Sequence, residues 1–412
     1  MNEAGKSLLA TALAHFTNDG SLNILPVLYL FLVESYGLSH LEVGVLASMT
    51  SVFAVVASPF IGRRSDSSQN YGYLMTLGLI LIGIGTITYS ISVLFLNNVS
   101  LFVFLLAVTL FFGIGSSFYH PLGAAILNET WSAPVRARAM GINGSLGAVG
   151  VAIFPVATNA LVLSYGTPSV ALLGFVAIFI AFVIFWIMRS FDFSNLRRNG
   201  PSNLRERTRT RAVGLKSILP LMIPLTVVAF LRGLTQGIVQ FLPIYLQTVK
   251  SVSIANIGVA FAVMSILGIV SQPVFGFLSD KFGRRLSILI SALGMAISSL
   301  LFLSIQNFVI SEIFLSLFGL FNYTSFPLIM GLATEISPEG STTIGGSIVW
   351  GVGTVGGGAV GPLLVPLLAF PAMLGSLSSA FYAVTILSLS SVLFLPFVRS
   401  PSLIRKSTAT NG

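Results

Sequence analysis

Residues 11–26 read TALAHFTNDGSLNILP, an apolar run interrupted by an imidazole and a carboxyl group. Thr11, His15, Asn18 and Asp19 are spaced by four, three and one, so on a helix they share one face. His15 and Asp19 lie one turn apart and can exchange a proton, with Asp19 as carrier and His15 or His120 as relay or hydrogen-bond partner. A second stripe, Arg232, Thr235, Gln236 and Gln240, also falls on one helical face. Ser116, Ser117 and His120 form a third polar cluster, and Asn322, Tyr323 and Thr324 a fourth. Arg232 can hold an anionic ligand or the ionised Asp19, and its movement relative to Asp19 would switch the proton affinity of the carboxylate. The residues alone leave a second reading open, in which Asp19 and Arg232 form a permanent structural ion pair and both histidines are neutral, satisfied by nearby hydroxyls.

The elements that must position these groups follow from composition. The chain of 412 residues is 55% hydrophobic and 8% charged, far below the roughly one-quarter charged residues of a soluble domain. Twelve apolar segments recur, at residues 7–33, 41–62, 72–95, 100–127, 138–164, 168–190, 217–247, 253–278, 286–306, 309–333, 343–370 and 373–398. Each is long enough to cross a hydrocarbon core of about 30 Å. None shows the period-two alternation of barrel strands, so they predict helices. The first run is too long for a cleavable signal. Counting about 1.5 Å per residue from Leu8, Asp19 lies roughly 16 Å deep, near the midplane. A lone charge there costs between about 3 and more than 10 kcal/mol, so Asp19 and Arg232 must be paired, protonated or hydrated.

The net charge of +9 sorts by side instead of forming a nucleic-acid patch. With the N-terminus inside, 19 of the 21 Lys and Arg fall on the inner loops, leaving Lys250 outside and Arg232 within a helix. Both termini are therefore expected in the cytoplasm. The absence of cysteine excludes disulfides and thiolate metal sites. The longest polar stretch, 191–216, reads as a cytoplasmic basic linker. It divides the chain into an N-terminal six-helix bundle (1–190) and a C-terminal one (217–398), followed by a cytoplasmic tail (399–412).

The two halves repeat. PFIGRRSD at 59–66 parallels PVFGFLSD at 273–280, pairing Pro59 with Pro273, Gly62 with Gly276 and Asp66 with Asp280. Gly20 and Pro26 parallel Gly237 and Pro243, which sets His15 opposite Arg232, and GIGSSFYHPLGAAILNE aligns with GLFNYTSFPLIMGLATE, pairing Pro121 with Pro327 and Glu129 with Glu335. The expected fold is an all-α membrane protein with twelve transmembrane helices in two pseudo-symmetric six-helix bundles. Many secondary transporters share this plan, with a site near the midplane between the repeats. Pro26, Pro121, Pro155, Pro243, Pro327 and Pro362 free backbone groups beside such a site or simply bend their helices.

GFLSDKFGRR at 276–285 resembles the loop motif of the major facilitator superfamily between its eighth and ninth helices. The resemblance implies that fold and a cytoplasmic gate: Gly276 for close helix approach, Asp280 at a neighbouring helix N-terminus, and Arg284 and Arg285 paired with acids such as Glu335. The first-half copy, GRRSDSSQNY, keeps Gly62, Ser65 and Asp66 without the basic tail, and Glu129 is the counterpart of Glu335. LAHFTNDG and GIGSSFYHP are similar to stretches of the fosmidomycin-resistance efflux group, which implies proton-driven export. The fifth-helix glycine pattern linked to antiport is only partly present, as Gly141, Gly150 and Pro155, with Phe154, Thr158 and Asn159 replacing other glycines. Gly357, Gly361 and Pro362 stand in the eleventh helix, and glycines of both helices are expected to serve close packing.

Other classes fit less well. Gly5, Lys6 and Ser7 lack the rest of a phosphate loop, so ATP-driven pumping is disfavoured. An intramembrane enzyme would need a zinc or nucleophile motif beside His and Asp, and none is present. A channel is a further option, but twelve helices in two repeats with gate motifs suit alternating access better. The expectation is a secondary transporter, not an enzyme, moving a small organic solute with protons and without cofactor, metal or nucleic acid. Efflux of a drug or metabolite leads, with proton symport or uniport of an organic acid or sugar as the alternative. The expected form is a monomer in a prokaryotic cell membrane.

Overall fold

A computed structural model of the protein describes residues 2–68, 70–189, 191, 215–338 and 342–399. The linker 191–216 and the tail 399–412 lie almost wholly outside the described residues. Every regular element described is helical, and twelve helical spans are long and apolar enough to cross a membrane. The expected fold class holds.

The first span, Glu3–Tyr36, is two helices, α1 (Glu3–Leu22) and α2 (Ile24–Tyr36). Asn23 breaks it: its N–H bonds the carbonyls of Asp19 and Gly20, and its side-chain Nδ2 donates to the Asp19 carbonyl at 2.7 Å. Pro26, three residues on, has no N–H to continue the ladder. There follow α3 (His40–Ser68), α4 (Tyr71–Ser92), α5 (Asn98–Thr130), α6 (Ala133–Tyr165) and α7 (Ala171–Met188). Pro121 and Pro155 lie inside unbroken helices.

The seventh span divides into α8 (Leu215–Gly233) and α9 (Gln236–Thr248) directly after Arg232. α10 (Ile254–Phe282) and α11 (Arg284–Ser304) meet at Gly283, whose φ of +93° is a conformation that side chains oppose. The tenth span divides at Thr324 into α12 (Phe308–Tyr323) and α13 (Ser325–Ile336), with Pro327 three residues past the break as Pro26 is in the first. The eleventh comprises α14 (Thr342–Ser347), a π-helical stretch over Ile348–Val355 and α15 (Gly356–Ala369), and the last is α16 (Leu377–Leu389) running into a 3₁₀ stretch, Ser390–Phe397.

By packing, the chain groups into two compact units: 1–200 with 239–269, and 201–238 with 270–412. In the first, α1 lies along α6, and a buried core gathers Leu25, Leu28, Tyr29, Leu46, Phe112 and Leu122. In the second, Ile218, Met222, Leu225, Phe275, Leu332 and Val349 belong to one buried cluster. Here α8 and the eleventh span pack so closely that a Cβ at Gly357 would strike the carbonyl of Phe230. Gly150 likewise presses on the backbone of Phe16 in the first unit, whereas Gly141 faces open space. Close packing accounts for Gly150 and Gly357 without reference to transport direction, but not for Gly141, where the expectation fails.

Candidate functional site

In the first unit the carboxylate of Asp19 is held at both oxygens. Oδ2 lies 3.0 Å from His15 Nε2, and Oδ1 accepts from Asn18 Nδ2 at 2.8 Å, with His120 Nε2 3.7 Å away. α1 carries His15, Asn18 and Asp19 on adjoining turns, and α5 brings His120 across to them. Asn18 is fully buried, but the side chains of Asp19 and His120 keep 23% and 40% of their surface, so the group is reachable. The donor atoms of His15, Asp19 and His120 lie within 4.8 Å of one another, and the His15–Asp19 hydrogen bond already occupies the closest approach. The chemistry this arrangement supports is proton sharing.

Three residues that sequence reasoning passed over complete the setting. Asn143 on α6 places its backbone carbonyl 2.9 Å from His15 Nδ1. Tyr119 on α5 stacks on the imidazole, with ring centroids 4.6 Å apart and planes at 29°. Its hydroxyl accepts from Asn143 Nδ2 at 2.8 Å. Gly147, one turn beyond Asn143, leaves the space in which the imidazole sits, since a Cβ there would lie 2.5 Å from the ring. The signal for Asn143 was an amide in the middle of an apolar segment, GINGSLG. Ser117 does not join the group through its hydroxyl, which donates to the Ile114 carbonyl of its own helix at 2.5 Å; Ser116 likewise donates to Gly113. A helical face fixes where a serine lies but not where its proton goes.

In the second unit Arg232 is only 3% exposed. Its Nε donates to Ser325 Oγ at 2.5 Å, and Nη2 donates to Ser291 Oγ at 3.0 Å and to the Phe321 carbonyl at 3.3 Å. Nη1 is buried with no hydrogen-bond partner among the described residues. The guanidinium is thus lodged among α11, α12 and α13 by neutral groups. Thr235 Oγ1 meets Asn322 Oδ1 at 2.9 Å, which joins the break after α8 to the end of α12. Tyr323 and Gln236 are half-buried, Gln236 beside Gly358 of the eleventh span. Gln240 is half-buried too, with its Oε1 shut off from the surface and unpartnered.

At the other end of the second unit the loop motif builds a charged knot. Arg284 Nη2 lies 3.1 Å from Asp280 Oδ1, Nε donates to Glu335 Oε1 at 2.9 Å, and Nη1 donates to Ser279 Oγ at 2.7 Å. It ties α10, α11 and α13 together. Gly331 gives the guanidinium its shelf, 3.0 Å from where a Cβ would stand. Two expectations need correction. Arg285 reaches the Pro396 carbonyl at 3.5 Å and, among the described residues, no acid, while Arg284 occupies the space beside Glu335. Gly276 meets nothing within 4 Å, so close helix approach is not its role; Gly283 is the glycine the loop requires. In the first-half copy Tyr71 Oη donates to Glu129 Oε1 at 3.2 Å. The side chains at Gly62 and Asp66 lie outside the described residues.

Comparison with known proteins adds an independent line. The sequence profile described as Major Facilitator Superfamily matches residues 9–346 and 225–412. An uncharacterised MFS-type transporter of Bacillus subtilis (strain 168), YfnC, is 24% identical over 363 residues, 87% of this chain and 86% of that protein. The multidrug resistance protein MdtG of Enterobacter lignolyticus (strain SCF1) is 34% identical over 187 residues, 43% of this chain and 41% of its own length. Among solved structures, a D-xylose-proton symporter superposes with a TM-score of 0.77 at 14% identity, covering 97% of this chain and 99% of its own. A bacterial homologue of the human lysosomal transporter Spinster, inward-facing and unoccupied, gives 0.71 at 17%, covering 97% and 96%.

Proposed function

This chain belongs to the major facilitator superfamily, and we propose that within it the protein is a proton-coupled exporter of a small organic molecule, working by alternating access. The observation that carries the reading is the His15–Asp19 pair. A carboxylate halfway along the first span, bonded at 3.0 Å to an imidazole and still partly open, is suited to taking up and releasing a proton. Asp19 is the proton carrier, His15 and His120 its partners. Arg232 is a buried cation whose partners in its own unit are all neutral, so an anionic group on the substrate, or the ionised Asp19, is the complement it calls for. Asn18, Gln236, Gln240, Asn322 and Tyr323 are the further polar groups of this proposed site, while Ser117 spends its hydroxyl on the Ile114 carbonyl.

The Arg284–Asp280–Glu335 knot fits a cytoplasmic gate that stabilises one access state, with Gly62, Asp66 and Glu129 as its first-half counterpart. The partial match to a multidrug resistance protein and the resemblance to the fosmidomycin-resistance group support export over uptake. Both termini are cytoplasmic in this reading, and the carrier acts as a monomer in a prokaryotic cell membrane.

The test is purified protein in liposomes under an imposed pH gradient, offered a panel of organic acids, sugars and drugs. Asp19→Asn should abolish gradient-driven flux while leaving substrate exchange at equal pH, and Arg232→Ala should remove flux of anionic substrates. Full gradient-driven flux in Asp19→Asn would overturn the proton-carrier assignment.

A further inference from the structure

An imidazole bonded at Nδ1 to a carbonyl is fixed as an Nδ1–H donor, because a carbonyl only accepts. Were the Asn143 carbonyl the sole partner, neutral His15 would turn a bare Nε2 toward Asp19 at 3.0 Å, lone pair against carboxylate. The pair could then release its proton only by giving up the hydrogen bond that holds it together. The structure supplies a second partner. Asn143 Nδ2, a donor, stands 3.3 Å from the same His15 Nδ1 that its own backbone carbonyl approaches to 2.9 Å.

We infer that Asn143 is a positioning residue for proton transfer, which meets His15 Nδ1 with an acceptor when that nitrogen is protonated and with a donor when it is bare. The inference rests on the reading of His15 and Asp19 as the proton site. In the loaded form the proton that Asp19 carries is shared along its bond to His15 Nε2 while Nδ1–H donates to the Asn143 carbonyl. On release one proton leaves the pair to water on the open side of Asp19, Nε2–H keeps its bond to the ionised carboxylate, and the carboxamide donates to the bare Nδ1. The bond from Nδ1–H to the Asn143 carbonyl is exchanged for one from the Asn143 carboxamide to Nδ1, and the Nε2–Asp19 bond is kept in both states.

The surroundings are built to keep the carboxamide in place. Its nitrogen is anchored 2.8 Å from Tyr119 Oη, and the Tyr119 ring lies against the imidazole it serves. Gly147 lets the ring enter between two turns of α6. The titratable groups at the imidazole are Asp19 on its own helix and Tyr119 and His120 on α5. Of the other helices that pack on α1, α6 carries Arg136 and Arg138 near its start and Tyr165 at its end, α7 has no titratable residue, α4 has only tyrosines, and α2 has Tyr29, Glu34 and Tyr36.

Nitrogen-15 spectra of histidine-labelled protein in lipid nanodiscs test this without a known substrate, since the two ring nitrogens report which one bears the proton. His40→Asn and His120→Asn assign the remaining signal to His15. As the pH is raised, wild-type His15 should pass from a doubly protonated ring to the Nε2–H tautomer. Asn143→Leu, which keeps the backbone carbonyl and removes the donor, should lower the ratio of Nε2–H to Nδ1–H tautomer about tenfold, the value of one neutral hydrogen bond. Tyr119→Phe frees the carboxamide without altering residue 143, moves the ratio the same way, and serves where the leucine variant does not fold. An unchanged ratio in a folded variant overturns the role of Asn143. A wild-type ring that keeps one protonation state throughout overturns the exchange of partners at Nδ1, whereas failure of the proton-site reading shows separately as full gradient-driven flux in Asp19→Asn.

Discussion

Gly147→Ala gives the sharpest prediction about the polar group in the first unit. A Cβ at 147 would lie 2.5 Å from both Cδ2 and Nε2 of His15, where ordinary contact begins near 3.4 Å. That edge of the ring must recede by about 0.9 Å, with Tyr119 stacked on its face at 4.6 Å. The displaced edge carries the Nε2 that meets Asp19 at 3.0 Å, so a shift of this size strains or breaks that hydrogen bond. A hydrogen bond to a charged group contributes about 1.5–3 kcal/mol, while alanine improves on glycine inside a helix by roughly 0.5–1 kcal/mol. The net expectation is a loss of about 1–2 kcal/mol. Gly141→Ala, six residues earlier in α6 with nothing within 4 Å of its Cβ, has the helix gain without the clash and should be neutral or stabilising. Thermal unfolding of both variants in one detergent at one scan rate compares them directly, since the midpoint of a membrane protein depends on the scan. If Gly147→Ala unfolds at or above Gly141→Ala, the glycine is not what seats His15.

Three further outcomes follow from other parts of the molecule. Gly357→Ala sets a methyl against the Phe230 carbonyl, which cannot yield as a side chain can, and should cost about 1–3 kcal/mol or more, read as a lower unfolding midpoint; Gly351→Ala, with open space around it, should cost far less. A double-mutant cycle between Arg284→Ala and Glu335→Ala should give a coupling of only about 0.5–1 kcal/mol that shrinks with salt, because Glu335 is 38% exposed; a salt-independent coupling of several kcal/mol would mean the knot is sealed from water. Lys250, between α9 and α10, has its ammonium pushed below the ordinary lysine value by burial. The unfolded chain therefore binds more protons, and stability should rise with pH in the window just under that ordinary value. Lys250→Met should flatten the rise, which unfolding midpoints across alkaline pH would reveal.

What the sequence exposed and what it concealed have physical causes. Twelve spans were legible because lipid requires about twenty apolar residues per crossing, and polar residues on such a background stand out. His15, Asn18 and Asp19 could be grouped because they lie within five residues on one helix. Asn143 could not, because it meets His15 across 128 positions and the group it offers at 2.9 Å is its own backbone carbonyl, which no side-chain pattern encodes. Arg232 was conspicuous as a charge, but its cradle of Ser291, Ser325 and the Phe321 carbonyl comes from three other elements and consists of groups that look ordinary in any membrane helix. The loop motif shows the same division. Glu335 was legible as an acid for the loop's arginines, but Asp280 was expected at a neighbouring helix N-terminus and instead pairs with Arg284, and Arg285 is left to a carbonyl, because these contacts depend on how three helices meet. Breaks in the spans were half visible: Pro26 and Pro327 mark them three residues late, but the break after Arg232 carries no proline until Pro243, and Thr235 caps it by donating to the Arg232 carbonyl at 2.8 Å. A periodic pattern thus locates a face, and the partners that give the face its chemistry come from distant turns that packing alone brings near.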